Sequence, residues 1–398
     1  MDTFDGSQAT FPKLLKKSGY TTALIGKWHL KSEPTGFDHY EILYGQGHYY
    51  NPRMNRDGKE VKYTGYTTDL ITDLTLEWLE DGRDPSKPFL IMTQHKAPHG
   101  RWEPAIRHLN LYDNEQIPEP DTLFYDFAGR GSASKNHEMG IATEMNEFRL
   151  MIKYSSQFTA EQFEAFDGFF RPRNQPYVKG SFTGREKTRW HYQRFIKNYL
   201  RCIAAVDENI GRLLDYLDQS GLANNTLVVY SSDQGFYLGD FGWFDKRWMY
   251  ETSLRTPLIV RWPGVVRPGS SSEELVLNLD LPSTFLEAAG IPIPDTMQGM
   301  SLVSILKGEK PRNWRESVYY HYYEGGGHGV PKHEGVRTDK YKLIHFYTLE
   351  EWELYDLEKD PQEMQNLIDD PSYSEVLKEL QDELSKLRDR LSLPPNTF

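Results

Sequence analysis

Four short apolar runs do most to limit the folds open to this chain: TTALIG at 21–26, PFLIMT at 88–93, TLVVYS at 226–231 and PLIVR at 257–261. Each is too short for a buried helix and is bounded by turn-forming residues, so each reads as a strand buried within a sheet. Between them, apolar residues recur every three or four positions. Phe11 to Ser18 reads as a helix stopped at Gly19, and Thr68 to Leu79 as a helix with Asp69 in its first turn. Arg194 to Ser220 is a long helix with Phe195, Tyr199, Ile203, Val206, Ile210, Leu213 and Leu217 along one face, and Asp280 to Ala289 a short one ended by Gly290. Strands alternating with amphipathic helices predict an α/β fold, a large mixed sheet covered by helices on both faces.

The character changes after about Pro311. VYYHYY, GVRTDKYKLIHFY and WELYDL alternate as antiparallel strands do, and a charged helix from Ser374 to Leu391 follows. We therefore expect a main domain over 1–310 and a smaller antiparallel carboxy-terminal subdomain over 311–398. The stretch from Trp102 to Thr188, with PEP, GRG and RPRNQP, reads as a loop-rich excursion over the sheet edge.

With 46 Lys and Arg against 58 Asp and Glu, the net charge of −12 argues against a nucleic-acid partner, which is held by basic surfaces. A local cluster of cations can still hold a small anion. Cys202 is the single cysteine, so no intrachain disulfide forms. No apolar run is long enough to span a bilayer, and the polar start MDTFDGSQAT does not read as a signal peptide.

Three of the four strands run into chemically capable residues: TTALIG into Lys27 and His29, PFLIMT into His95, Lys96 and His99, TLVVYS into Asp233 and Gln234. Ligands of open α/β sheets sit outside the carboxyl ends of the strands, so these segments are expected to converge. Singly each signal is weak, because Asp suits turns and a lone Lys-x-His is ordinary surface charge. Together they describe a site. Asp233 and Gln234 offer oxygen ligands suited to Ca²⁺ or Mg²⁺ and not to zinc. Lys27, His29, His99 and Lys96 supply donors and positive charge, and Lys246 in GWFDKRWMYE is a further cation a short loop beyond. Such a set matches a tetrahedral oxyanion leaving an ester, sulfate or phosphate alike.

The segments GYTTALIGKWHL, PFLIMTQHKAPH, SSDQGFYLGDFGWFDKRWMYE with LRTPLIVRWPG, and EGVRTDKYKLI resemble successive signatures of the type I, formylglycine-dependent sulfatases of the alkaline phosphatase superfamily. They come in the family's order and span nearly the whole chain. The resemblance implies that Asp233 and Gln234 form half of a calcium site, with Mg²⁺ the lesser alternative. It implies that Lys27 and His29 hold the formylglycine and the sulfate, and that His99 and Lys246 bind sulfate beside the scissile ester. GFDHYEILYGQGHYYNP, HKAPHGRWEPAIRHLNLYD and IPEPDTLFYDFAGRGSAS are most similar to carbohydrate sulfatases, in particular those acting on N-acetylglucosamine 6-sulfate and related glycosaminoglycan sugars. Lys96, Arg101, Trp102, His328 and His333 are then candidates to bind the sugar, since polar side chains and an aromatic face suit one. Family membership also implies export from the cytoplasm.

The sequence departs from the family at the nucleophile. The Cys or Ser of a C/S-x-P/A-x-R motif, oxidised to formylglycine, is absent: Cys202 has no arginine at the required offset, and Ser181 in SFTGR lacks the proline or alanine. Nor does anything before Phe11 resemble the family's apolar strand ending in two aspartates. The expectation is a sulfuric ester hydrolase lacking its amino-terminal part and inactive as written. The alternatives are a phosphodiesterase or phosphonate hydrolase of the same superfamily and a non-catalytic protein that binds sulfated sugar.

Overall fold

The computed structural model describes residues 3–135, 137–325 and 327–396. Helix α1 (Phe11–Lys17) begins with Pro12, whose fixed φ suits a first turn, and ends before Gly19, which takes φ 93°. It leads into strand β1 (Thr21–Lys27), followed by β2 (His39–Leu43), β3 (Arg53–Arg56) and β4 (Lys59–Lys62). Helix α2 (Thr67–Glu77) then returns the chain to β5 (Phe89–Gln94). These strands form one mixed sheet in the order β4-β3-β2-β1-β5. β1 lies parallel to both β2 and β5, and the β2–β3 and β3–β4 pairs are antiparallel.

Side chains alternate across a strand. Ala23 and Ile25 of β1 join Leu43, Met54 and the α2 residues Ile71 and Leu74 in one core, capped by Trp78. Helix α1 packs against β1 as well, so the central strand is covered by helical structure, as its unbroken apolar run predicts.

The region expected to be loop holds a helix, α3 (Ala160–Val178), which runs through Pro172 and Pro176. Each interior proline costs about 3 kcal/mol. Against that, Phe166, Phe169 and Phe170 are buried, at about 1.5–3 kcal/mol each. Thr159 adds a capping box: its hydroxyl accepts from the Gln162 amide at 3.2 Å, and Gln162 Oε1 accepts from the Thr159 amide at 2.9 Å. Burial wins over the prolines. Helix α4 (Gly184–Gln219) likewise starts ten residues before the expected Arg194. The added turns are held by His191, whose Nδ1 meets the Ile141 carbonyl at 2.9 Å, and by buried Tyr192.

β6 (Val228–Ser231) is followed by the two-residue strands β7 (Tyr237–Leu238) and β8 (Phe244–Asp245), helix α5 (Glu251–Leu254) and β9 (Leu258–Arg261). Among the described residues β6 pairs with β9 alone, antiparallel, and β7 with β8. TLVVYS and PLIVR are therefore less buried than their apolar character predicts: Ile259 is 64% exposed and Tyr230 37%. The physical reason is the pairing, since a two-stranded ribbon leaves edges and a face uncovered. β5 is the last strand of its own sheet and is half-buried throughout.

After α6 (Asp280–Ala288) and α7 (Val303–Leu306), strands β10 (Ser317–Tyr322), β11 (His333–Thr338), β12 (Tyr341–Phe346) and β13 (Glu351–Asp356) form the expected antiparallel sheet in sequence order. Helix α8 (Ser374–Arg390) lays Leu380, Leu384 and Leu387 on Val336, Leu343 and Leu354. Buried ions tie this sheet to the rest. Lys342, fully buried, has Nζ 2.6 Å from Glu363 and 2.8 Å from Glu251 of α5. Burial would raise the Glu251 carboxyl, but Lys342 and Arg337 hold it down at about 2. Its folded pKa lies below the unfolded value, so its contribution is full above about pH 4.5 and is lost as pH falls toward 2. Lys342→Met leaves two facing carboxylates without their cation and is expected to cost about 3–5 kcal/mol. Urea unfolding at neutral pH checks this, and the deficit should shrink under acid as the carboxylates protonate.

Candidate anion-binding site

The site begins with two glycines. Gly26, in β1 with φ 117°, lies so close to β5 that a Cβ would sit 2.0 Å from the Gln94 carbonyl oxygen. Only glycine lets the two strands deliver Lys27 and the 95–99 loop side by side. Gly235, after β6, would place a Cβ 2.2 Å from the Thr252 carbonyl. Its own amide donates to Ser253 at 2.9 Å, pinning the Asp233–Gln234 turn to the α5 segment.

Four of the expected residues share one electrostatic neighbourhood. Burial and then the charge of Lys246 push the Lys27 ammonium below its ordinary pKa, with Asp233 opposing. His29 is lowered by burial and by Lys27, Lys31, Lys246 and Lys96. His99 is pushed down to about 3, by burial first and then by Lys246, Lys27 and Lys96. The lysine charges oppose one another and keep both histidines neutral near pH 7, an arrangement of positive charge and ring nitrogens that suits an anion.

Lys246 lies beside a carboxylate that sequence reasoning missed. Asp245 is buried, with Lys246 Nζ at 3.5 Å, Arg247 Nη1 at 2.6 Å and His328 Nδ1 at 3.7 Å. Burial would raise the Asp245 carboxyl, but Lys246 and Arg247 hold it below its usual range. Arg149 stacks on Phe244 at 4.7 Å and also feels the Asp245 charge. The backbone is left-handed at His29 (φ 51°), Asp245 (φ 84°), Arg247 (φ 104°) and His328 (φ 59°). Such conformations cost of order 1–3 kcal/mol each in non-glycine residues and gather where geometry is over-determined. The Asp-Lys-Arg triplet was legible in GWFDKRWMYE, but only its lysine was singled out, because alternating charges on a loop read as solvated surface.

The five residues expected at the sugar part company. Arg101 is exposed and stacks on Phe148 at 4.1 Å. The His328 side chain is 41% exposed at the edge of the Asp245 cluster. Trp102 and His333 line no opening. Trp102 is 1% exposed, packs on Phe195, Phe236 and Phe244, and donates its indole N–H to the Pro98 carbonyl at 2.8 Å. His333 is fully buried, stacks on Trp248 and meets the Pro331 carbonyl at 2.9 Å. In a chain with 14% aromatics, core rings outnumber sugar platforms. Lys96 is 5% exposed, whereas Lys27 is partly open. Cys202, buried in α4, has its thiol pushed up to about 12 by burial, which makes it an inert core residue.

Asp233 is exposed, and its carbonyl accepts from the Asn278 amide at 2.9 Å. Asp233 and Gln234 fit a hard cation in kind but fall short in number, because Ca²⁺ takes six to eight oxygens. Among the described residues no group of three or more His, Cys, Asp or Glu is placed to hold a metal. No helix of the described residues is long and apolar enough to cross a membrane.

Known proteins resemble this chain along nearly its whole length. Residues 4–291 match the sulfatase family, and residues 239–390 match the carboxy-terminal region of N-sulphoglucosamine sulphohydrolase. An N-acetylglucosamine-6-O-sulfatase of Bacteroides thetaiotaomicron is 46% identical over 95% of this chain and 72% of its own length. An N-acetylglucosamine-6-sulfatase of Bos taurus is 30% identical over 81% of this chain, which spans about half of that relative (52%). The solved structure of BT4656 in complex with its substrate D-glucosamine-2-N,6-O-disulfate superposes with a TM-score of 0.93, at 44% identity, over 98% of this chain and 83% of that one. The chain belongs to the sulfatase family.

The charge cluster makes a direct prediction. Lys246 is the largest charge acting on His99, so Lys246→Met should move its titration upward from about 3, as read by its ring proton shifts in NMR. The folded pKa lies below the unfolded value of about 6.5. His99 therefore costs the fold stability as pH drops from about 6.5 toward 3, and the variant should lose less over that window.

Proposed function

We propose that this protein binds and hydrolyses sulfate esters of carbohydrate, with the 6-sulfate of an N-acetylglucosamine or related glycosaminoglycan sugar as the preferred group. The observation that carries this reading is the convergence of Lys27, His29, His99 and Lys246 at the ends of β1, β5 and β8. Lys27 and Lys246 neutralise the sulfate oxygens, and His29 and His99 supply ring nitrogens at the ester. Asp245, Arg247 and His328 add an acceptor and donors beside Lys246, the mixed polar set that sugar hydroxyls require. The sulfatases of similar sequence, named for N-acetylglucosamine 6-sulfate, support the choice of sugar.

Calcium belongs to the same proposal, with Asp233 and Gln234 giving two of its oxygens. In the family, formylglycine supplies the attacking oxygen. Every role assigned above is on the anion and sugar side, and none is the nucleophile. Sulfated polysaccharides are extracellular materials, so export belongs to this reading as well.

A second reading is binding without turnover, favoured by the absence of a C/S-x-P/A-x-R motif in this sequence. Calorimetry with N-acetylglucosamine 6-sulfate, unsulfated N-acetylglucosamine and inorganic sulfate tests the site, and chromatography of released sulfate tests turnover. The sulfated sugar should bind at least about tenfold more tightly than the unsulfated one. Arg247→Met should weaken the sulfated sugar by about tenfold while changing inorganic sulfate much less. Equal affinity for sulfated and unsulfated sugar would sink the proposal, and binding with no released sulfate selects the second reading. Faster turnover of an aryl phosphodiester than of an aryl sulfate would move the chain to phosphodiester chemistry.

A further inference from the structure

Lys96 is the one cation of the cluster that is sealed from solvent, and its contacts give it a task other than holding sulfate. Its Nζ donates to the Gly100 carbonyl at 3.2 Å and lies 4.8 Å from the centre of the Tyr49 ring. The same Gly100 carbonyl faces His99 Nδ1 at 3.0 Å. The hydroxyl of Tyr49 donates to the His99 carbonyl at 2.9 Å. Two residues thus grip consecutive peptides, Tyr49 the His99 carbonyl and Lys96 the Gly100 carbonyl, and the Tyr49 ring seats the lysine that holds the second.

A carbonyl oxygen has lone pairs only, so a histidine nitrogen bonded to it must carry the proton. His99 is therefore the Nδ1–H tautomer, and its Nε2 is the nitrogen left for the pocket. The orientation of the Gly100 carbonyl decides this, and that carbonyl is set by Lys96. Were the peptide to turn, either nitrogen of the ring could take the proton and the ring would lose its fixed direction.

We propose that Lys96, seated on Tyr49, is a positioning residue that locks the tautomer and direction of the His99 ring and does not itself contact the anion. The inference rests on the sulfate-ester reading only for what His99 faces. Several facts favour it over direct contact. Lys96 is 5% exposed, whereas the Lys246 side chain is 17% exposed and Lys27 is partly open. Buried Glu103 favours the charged form of Lys96, and Lys27 and Arg101 oppose it. The groups acting on His99 itself are Lys27, Lys96 and Lys246.

The test is long-range ¹H–¹⁵N NMR of the histidine rings at pH 7 in the full chain, together with calorimetry of inorganic sulfate. The intact protein should show His99 as a single Nδ1–H tautomer. In Lys96→Met the ring should become a mixture of tautomers and sulfate should bind about tenfold more weakly. Lys96→Arg keeps a donor for Gly100 and should restore both. Tyr49→Phe keeps the ring under the ammonium, frees the His99 carbonyl and should also mix the tautomers. It decides the matter if circular dichroism shows that Lys96→Met does not fold. A variant that binds sulfate more weakly while His99 stays purely Nδ1–H overturns the proposal and makes Lys96 a direct anion contact. An intact protein that ignores sulfate, with tautomers that still mix in Lys96→Met, defeats the sulfate-ester reading and leaves the positioning role standing.

Discussion

Parallel pairing of β1 with β5 forces positive charges together, and much of the molecule is arranged around that fact. The register matches Gly26 with Gln94, so Lys27 and the 95–99 loop leave the sheet side by side. The charges there oppose one another: Lys246 disfavours the charged form of Lys27, Lys27 that of Lys96, and all three that of His99. The strands hold because their energy comes from elsewhere: Ala23 and Ile25 are fully buried against α2. Burial of apolar surface contributes about 25 cal/mol per Å², and it is this core that opposes the repulsion. The sheet's own burial sustains the charge cluster, and the depressed Lys27 and His99 record the strain that remains.

The opposite wall depends on the carboxy-terminal sheet. Asp245, Lys246 and Arg247 leave β8 through left-handed backbone, and Trp248 and Tyr250 anchor them in a core shared with Ile344, Phe346 and Tyr355. Tyr320 of β10 donates its hydroxyl to the Arg247 carbonyl at 2.7 Å. The Glu251–Lys342–Glu363 ions fix the start of α5 to β12 immediately beyond. His328 comes from the β10–β11 connection, so the sheet also supplies a residue to the site. The smaller sheet is thus a buttress for the Asp245–Arg247 segment.

The parts of this arrangement legible in the sequence were those written in periodicity and order. The central strands, α1, α2, the carboxy-terminal strands and α8 follow from patterns of period two and 3.6. Lys27, His29, His99 and Asp233 follow from their position after apolar runs. What could not be read depends on contacts between distant segments. Pro172 and Pro176 argue locally against a helix, and only the burial of Phe166, Phe169 and Phe170 reverses that. Trp102 and His333 have the composition of a sugar platform, but rings contributed by distant segments, among them Phe195, Phe236 and Trp248, enclose them. Lys96 sits three residues from His99 and looks like its partner in binding, yet Tyr49, far back in the chain, draws its ammonium inward. Asp245 differs: two of its partners, Lys246 and Arg247, are its neighbours in sequence, and only His328 comes from a distant segment.

Electrostatics of this kind sets function against stability within one cluster. Burial and mutual repulsion disfavour the charged forms of Lys27 and His99, so the site without an anion is a cost carried by the fold. A bound anion would add an attraction to each cation that offsets their mutual repulsion, and the gain would appear both as affinity and as fold stability. By linkage a ligand at a hundred times its dissociation constant adds about 2.7 kcal/mol to stability, comparable to what one left-handed residue costs. Left-handed backbone at His29, Asp245, Arg247 and His328 and repulsion among the lysines are thus two costs that the fold carries around the ends of β1 and β8. The two sides of the site are held differently: Lys96 and His99 are fixed by an aromatic ring and peptide carbonyls, whereas Lys246 and Arg247 are paired with Asp245.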